Sequence, residues 1–380
     1  MEKTPLVCDY GSGFSKVGFS GTQAPQAVFP TILGKMKHTG LSGPACVFQN
    51  VLEGLGEQDW FIGAETQTNR TELNMYYPIS RGAITNWDNV EKIWHYSFYH
   101  SLQIAPEQHP ILITEAPLTS KEAKSRMTQA QGQGMICTSQ RPLRSGNSIS
   151  THHGAGTAIE SGDGMTYFVP VMNGYPLHLS TTKLDIAGQD LTLYLMKLLS
   201  DNGNVLETIA DLEYIRDLKD KYSYVALDYN MEMSKTSAPS FQKKFTLPDG
   251  KEINLGQEAF MCSEVLFDTS LLERANPGIH MLTLESIMSC EKSHQRTLFN
   301  YIVLTGGTSA CTGLRFRMQK EMAKVVSPDF CVKVTASPYA KYSAWIGASI
   351  LSSLPLFKDM WITNHEYLEI GPSVIFRRCF

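Results

Sequence analysis

The sequence lacks the features that mark several classes of protein. Within its 380 residues, no apolar run approaches the ~20 residues that span a membrane, and no signal-peptide core follows residues 1–5. The eight cysteines are scattered, without a C-x-x-C pair or a histidine at zinc spacing, which predicts reduced thiols. The 33 basic residues form no dense block and are balanced by 37 acidic ones, so nucleic acid is not an expected partner. We therefore expect a cytosolic or nuclear protein that does not insert into a membrane.

Length and apolar periodicity predict an α/β protein with two lobes. The chain exceeds the ~250–300 residues at which single hydrophobic cores stop growing. Strand-like runs alternate with stretches of helical period. We predict a strand hairpin over residues 6–29, helices at 87–102, 121–127, 184–199, 210–224, 283–289 and 314–325, a buried strand at 110–114, and a strand pair at 244–247 and 252–255.

Three glycine-rich turns, each at the end of an apolar β-like run, are the most informative motifs. They lie at residues 9–13, with Lys16 beyond, at 160–164 and at 305–308. Glycine permits a tight turn whose backbone N–H groups converge on an anion, and an acidic residue at the strand end can hold a hydrated metal ion. A lone turn of this kind most often only joins strands. Two acid–glycine turns about 150 residues apart indicate an internal duplication facing one ligand, and a nucleotide is the ligand they predict.

A longer series of motifs continues this pattern through most of the chain. It includes Asp9-x-Gly11-Ser12-Gly13-x-x-Lys16, Tyr77-Pro78-Ile79, Thr114-Glu115-Ala116-Pro117-Leu118, Leu184-Asp185-x-Ala187-Gly188, Leu247-Pro248-Asp249-Gly250 and Lys341-Tyr342-Ser343-x-Trp345. In this order the motifs resemble the actin family, over about residues 6 to 129 and 157 to 380.

The resemblance implies an α/β, actin-like ATPase fold, with a ribonuclease-H-like sheet in each lobe and two subdomains per lobe around a nucleotide cleft. It places residues 1–30, 79–150 and 343–380 in subdomain 1, residues 31–78 in subdomain 2 with an extended loop at 38–59, residues 151–186 and 275–342 in subdomain 3, and residues 187–274 in subdomain 4. It also implies ATP or ADP with Mg²⁺ or Ca²⁺ as cofactor, and cytoskeletal or actin-binding proteins as partners.

The same resemblance suggests roles for residues of the cleft. Asp9 and Asp163 would hold the hydrated metal ion. The phosphates would contact Gly11, Ser12, Gly13, Lys16, Gly162, Asp163 and Gly164, and adenosine would lie against Gly188, Arg216, Lys219, Asp220, Gly306, Gly307, Thr308 and Lys341. Arg216 or Lys219 taken alone would be a solvated helix face. No residue is assigned firmly to catalysis, and Glu160 and Asp163 are candidates for positioning water or metal.

The sequence departs from actin where hydrolysis is concerned. Residues 130–156 stand where actin has a buried apolar helix carrying the glutamine that orients the attacking water, but their glycines and lack of apolar period predict a loop. Gln140 is the nearest glutamine, and a proline two residues later disfavours a helix there, so the catalytic role is not transferred to it. Glu160 replaces an aspartate, and Tyr167 and Arg81 replace histidines. We expect weak nucleotide binding with slow or absent hydrolysis.

The surfaces that assemble actin filaments also differ. Residues 38–59 form a longer segment than the actin loop that inserts into the next subunit, and Leu271-Leu272-Glu273-Arg274 brings two charges to a segment with an apolar tip in actin. Of the acidic N-terminal cluster only Glu2 remains. Because unpaired charges are costly to bury in an interface, we do not expect homopolymerisation into actin-type filaments.

The leading hypothesis is an actin-related cytoskeletal scaffold with a nucleotide in its cleft, with a tissue-restricted setting such as the sperm cytoskeleton as a further expectation. Two alternatives remain open: a polymerising actin-like ATPase, and a relaxed, poorly folded product of an actin gene. A sugar kinase is disfavoured because no additional acid that could act as a base is identifiable. A chaperone ATPase is disfavoured because the chain shows no peptide-binding domain beyond the cleft lobes.

Overall fold

The computed structural model describes residues 3–37, 60–130, 136–139, 154–236, 242–247 and 250–378. The architecture is α/β, with two larger sheets that are each covered by helices. Within the described ranges, no helix combines the length and the apolar character needed to cross a membrane.

The N-terminal part of the chain builds the first sheet, in the strand order β10-β9-β1-β2-β3. Its elements are β1 Leu6–Tyr10, β2 Phe14–Phe19, β3 Ala27–Pro30, β4 Leu33–Met36, β5 Trp60–Ile62, β6 Leu73–Tyr76, β7 Ile79–Ser80, β8 Ala83–Ile84, β9 Ile111–Thr114, β10 Ile136–Ser139, α1 Ala64–Thr68, α2 Trp87–His95 and α3 Lys121–Ala130. A smaller sheet joins β4 to β5 and β6, and β7 pairs with β8. Strand β1 is buried on both faces: Leu6 and Cys8 enter one core, and Val7 enters the core on the other side, as expected for alternating side chains of a central strand.

The second sheet repeats the topology of the first. Its order is β13-β12-β11-β17-β18, with β14 also paired to β12. The elements of this part are β11 Gly156–Ser161, β12 Thr166–Met172, β13 Tyr175–Pro176, β14 Thr182–Leu184, β15 Lys243–Thr246, β16 Glu252–Leu255, β17 Ile302–Thr305, β18 Val334–Ala336, α4 Gly188–Asp201, α5 Ile209–Tyr222, α6 Tyr229–Lys235, α7 Glu258–Glu264, α8 Ile279–Met288, α9 Lys292–Asn300 and α10 Leu314–Val325. In both sheets an antiparallel hairpin is followed by two strands that run parallel to its first strand. This repeat agrees with the duplication that the glycine turns indicated.

The C-terminal helices return to the first sheet. They are α11 Ser343–Ser353, α12 Asn364–Ile370 and α13 Ile375–Arg378. Trp345 of α11 is fully buried, and its indole N–H donates to the Val7 carbonyl oxygen at 2.9 Å. Because the tryptophan both fills the core and binds the backbone of β1, it anchors the end of the chain beside the first glycine turn.

Most predicted elements are present, with shifted ends. The helix predicted at 87–102 begins as α2 and continues as a π-helical turn, Tyr96–Ser101. The helix predicted at 121–127 extends to Ala130, and the one predicted at 184–199 begins only at Gly188, after strand β14. The helix at 314–325 and the strand pair around residue 250 are confirmed.

The prediction of a loop throughout residues 130–156 is wrong at three points. Ala130 ends α3, Ile136–Ser139 form β10 in parallel register with β9, and Gly156 begins β11. The β-branched residues of β10 suit a sheet edge, and the surrounding glycines concealed that short run in the sequence. Residues 131–135 and 140–153, which include Gln140, lie outside the described residues, as do residues 38–59.

The segment at residues 271–274 is also engaged differently from what we expected. Leu271 and Leu272 pack against the core of the second sheet. Arg274 pairs with Asp190 at 2.9 Å, a contact that the sequence did not predict. Glu273 is exposed. The consequence for filaments, like the subdomain boundaries, stays a prediction.

Candidate functional site

The turns of the two hairpins face each other at close range. A Cβ atom added to Gly13, in the β1–β2 turn, would lie 2.8 Å from the Cβ atom of Asp163 in the β11–β12 turn. A Cβ atom on Gly164 would lie 2.6 Å from the Ser12 Oγ. Real Cβ atoms do not approach so closely, so glycine at both positions lets the two turns meet. The structure therefore brings the first two predicted turns to one place.

The third turn is anchored to the second. Gly306, which follows β17, has a left-handed φ of +89°, and its N–H donates to the Ala340 carbonyl oxygen at 2.9 Å. The Gly162 carbonyl oxygen accepts from the Thr308 hydroxyl at 2.6 Å and from the Gly188 N–H at 3.1 Å. The third turn and the start of α4 are thus held to the β11–β12 turn.

The three turns border a cavity of about 1040 Å³, a size at the upper end of the range for small-molecule sites. Its walls include nearly all of the residues predicted from the sequence, namely Asp9, Gly11, Ser12, Gly13, Lys16, Glu160, Gly162, Asp163, Gly164, Arg216, Lys219, Asp220, Gly306, Gly307, Thr308 and Lys341. Gly188 does not line the cavity but contacts a residue that does, because a Cβ atom added to it would lie 2.8 Å from the Thr308 hydroxyl oxygen. The residues share one cavity, and their roles in binding remain predictions.

An ion pair between Lys16 and Asp9 lines the cavity beside the first turn. Lys16 Nζ lies 2.7 Å from Asp9 Oδ2, and the Thr114 hydroxyl donates to Asp9 Oδ1 at 2.6 Å. Among the described residues, no group of three or more histidine, cysteine or acidic side chains could hold a metal ion. Magnesium bound with a nucleotide commonly uses one or two carboxylates together with phosphates and water. Asp9 and Asp163 supply two carboxylates to the cavity, and their role as ligands of a hydrated metal ion remains a prediction.

Arg216 brings a buried cation to the cavity. The residue is 5% exposed, and among the described residues its guanidinium forms ion pairs of 3.6 Å to Asp163 and 3.4 Å to Glu213. Its Nε–H group is buried without a hydrogen-bond partner among those residues, and leaving a buried donor unsatisfied costs about 1–3 kcal/mol. The positive charge of Arg216 suits this side of the cavity to an anionic ligand.

The side of the cavity predicted to hold adenosine carries a second cation. Lys219 Nζ donates to the Gly188 carbonyl oxygen at 3.0 Å and lies 3.3 Å from an Asp220 carboxylate oxygen. These contacts hold the lysine on the inner side of α5, and not on a solvated helix face.

Glu160 contributes a carboxyl group with a raised pKa to the cavity. Burial raises the pKa of its carboxyl group to about 7, with a further contribution from Asp9 and an opposing one from Lys16. Burial also raises the pKa of Tyr167 to about 12, so this phenol stays protonated at neutral pH. A carboxyl group with a pKa near the working pH is an effective general base.

A set of contacts between residues 70–77 and helix α5 was not predicted. The Tyr77 hydroxyl donates to Glu213 at 2.7 Å. Arg70 pairs with Asp217 at 2.8 Å, and its guanidinium lies 4.1 Å from the centre of the Tyr214 ring. Tyr77 belongs to one of the motifs, but nothing in the sequence indicates a partner 136 positions away.

Two α/β units of the same topology, each contributing a hairpin turn to a shared cavity, define a bilobal protein built by duplication. The family model described as Actin matches residues 1–380. The chain belongs to the actin family.

Proposed function

We propose that this actin-family protein binds ATP or ADP with a divalent metal ion in the cavity and acts as a scaffold in a cytoskeletal assembly of the cytoplasm. Hydrolysis is slow or absent, and actin-type filaments do not form. The observation that carries the nucleotide is the convergence of three glycine turns, Lys16 and Arg216 on one cavity.

The nucleotide would serve as a clamp. Asp9 and Lys16 lie on the first sheet's side of the cavity, whereas Asp163 and Arg216 lie on the second sheet's side. A ligand that contacts both sides favours the closed form. It stabilises the folded protein by RT ln(1 + c/Kd), where c is the ligand concentration, and this stabilisation rises with the logarithm of c once c exceeds the dissociation constant Kd. This stabilisation requires no turnover.

Thermal unfolding with and without ATP and Mg²⁺ tests the clamp. We expect the melting temperature of the wild-type protein to rise with ATP concentration. Arg216→Gln should remove most of that rise, whereas Arg296→Gln, a matched change at an exposed arginine of α9, should leave it intact. A wild-type melting temperature that does not respond to saturating ATP would contradict nucleotide binding.

A polymerising ATPase is the second candidate, and the raised pKa of Glu160 favours it. Single-turnover hydrolysis of ATP by the wild type and by Glu160→Gln, followed by sedimentation in polymerising salt, separates the two. Turnover as fast as that of conventional actin, lost in Glu160→Gln, together with a pellet of ordered filaments, would replace our proposal by this one.

A further inference from the structure

One buried carboxylate joins two arginines from distant parts of the chain. Asp190, in the first turn of α4, is 3% exposed. Its Oδ1 accepts from Arg81 Nη2 at 2.8 Å and from Arg274 Nη2 at 2.9 Å. Its Oδ2 accepts from Arg81 Nη1 at 3.2 Å and from the backbone N–H of Ala187 at 3.0 Å. Both guanidinium groups therefore depend on the same anion.

The two arginines share a second acceptor as well. The Asp185 carbonyl oxygen accepts from Arg81 Nη1 at 2.9 Å and also from Arg274 Nη1. The two side chains are 37% and 33% exposed, so water screens the charges only in part. Two cations that share one carboxylate repel each other, and each weakens the hold of the other on Asp190.

Arg81 connects this junction to the first sheet's side of the cavity. It lies in the turn between β7 and β8, whose Ile79 and Ile84 pack into the core of the first sheet. The neighbouring Gly82 N–H donates to the Ser12 hydroxyl at 3.0 Å. Arg81 itself has a left-handed φ of +47°, which costs a non-glycine residue about 1–3 kcal/mol and persists only where surrounding contacts impose it.

Arg274 connects the junction to a surface loop of the other side. It follows the helical turn Thr269–Leu272 and the exposed Glu273. Asp190 lies on α4, whose Leu191 and Leu195 belong to the core of the second sheet. The pair of Arg81 and Asp190 therefore crosses from one side of the cavity to the other, whereas the pair of Arg274 and Asp190 seats the loop within one side.

We propose that Arg81, Asp190 and Arg274 form an ionic latch in which closure of the cavity and seating of the loop at residues 268–276 oppose each other. When the loop moves away from Asp190, the carboxylate pairs with Arg81 alone, and this stronger ion pair holds the two sides of the cavity together. When the cavity opens, Asp190 pairs with Arg274 alone, and this stronger ion pair holds the loop in place. The latch uses only side chains of this chain and does not depend on the proposed nucleotide.

Hydrogen exchange of the nucleotide-free protein, read by mass spectrometry on a peptide spanning residues 79–86, tests the latch. Arg81→Gln should speed exchange there about tenfold, because a bidentate charged pair is lost. Arg274→Gln should slow it about threefold, because a competing cation is removed. The double variant, Arg81→Gln with Arg274→Gln, should exchange as fast as Arg81→Gln alone. In both proteins Asp190 has lost its ion pair with residue 81, so removing Arg274 has no further effect on residues 79–86.

Arg296→Gln, which changes the net charge equally at an exposed site of α9, should leave the exchange unchanged. Arg81→Lys keeps the positive charge but cannot make the bidentate contact of a guanidinium with Asp190, and it should give an intermediate exchange rate. The proposal is overturned if Arg274→Gln speeds exchange or leaves it unchanged, or if Arg81→Gln has no effect while the variant melts as a folded protein.

Discussion

Replacing Glu160 with glutamine should make the stability of the nucleotide-free protein less dependent on pH. Burial raises the pKa of this carboxyl group from an ordinary value of 4.5 to about 7. Between these values the folded protein binds a proton that the unfolded chain releases. The stability from this group is therefore fully present below about pH 4.5 and is lost as the pH rises through about 7.

The size of the stability change follows from the size of the pKa shift of Glu160. Each pKa unit corresponds to ~1.4 kcal/mol, and Glu160 is only partly buried by its accessible surface. We therefore expect ionisation to cost about 2–3 kcal/mol. Glutamine cannot ionise, so Glu160→Gln should exceed the wild type by that amount at about pH 8 and match it at about pH 4.5.

Urea unfolding across this range, with a metal chelator present, measures the difference directly. Glu91→Gln, at an exposed carboxyl group of α2, is the matched control and should track the wild type at every pH. A stability difference between Glu160→Gln and the wild type that stays constant with pH would refute the reasoning.

Three further substitutions test the fold and the cavity. Tyr77→Phe leaves the buried Glu213 without a 2.7 Å donor and should lower the free energy of unfolding by ~1–2 kcal/mol, so an unchanged urea midpoint would count against the contact. Trp345→Ala removes a fully buried tryptophan side chain and should cost ~3–5 kcal/mol in the same assay. A loss below about 1 kcal/mol, well under that range, would contradict its anchoring role. Gly306→Ala places a Cβ atom against the Ser161 carbonyl at a φ of +89° and should abolish the thermal shift by ATP, and a wild-type shift would show that the third turn does not shape the site.

The sequence predicted the parts of the structure that are decided locally. The turns around Gly13 and Gly164 were recognisable because an acidic residue and glycines follow an apolar run in each, although the contact that requires these two glycines lies between the two turns. Helix α2 was predicted because its apolar residues Val90, Ile93 and Trp94 recur at helical spacing. Strand β10 was missed because four residues among glycines carry too little periodic signal, and it exists because β9 offers a free edge.

The contacts that close the cavity could not be predicted in the same way. Arg81 was noticed as a departure from the family, but its pairing with Asp190 joins positions 109 apart. The raised pKa of Glu160 likewise results from burial by the assembled strands. Both depend on the tertiary arrangement, which a single sequence does not encode in any local pattern.

Native mass spectrometry of the folded protein, after equilibration with ATP and Mg²⁺ and removal of the excess, tests the central claim most directly. We predict a complex that carries one nucleotide with one metal ion, and that loses both in Arg216→Gln while remaining folded. A folded wild-type protein that carries no nucleotide under these conditions would contradict the account.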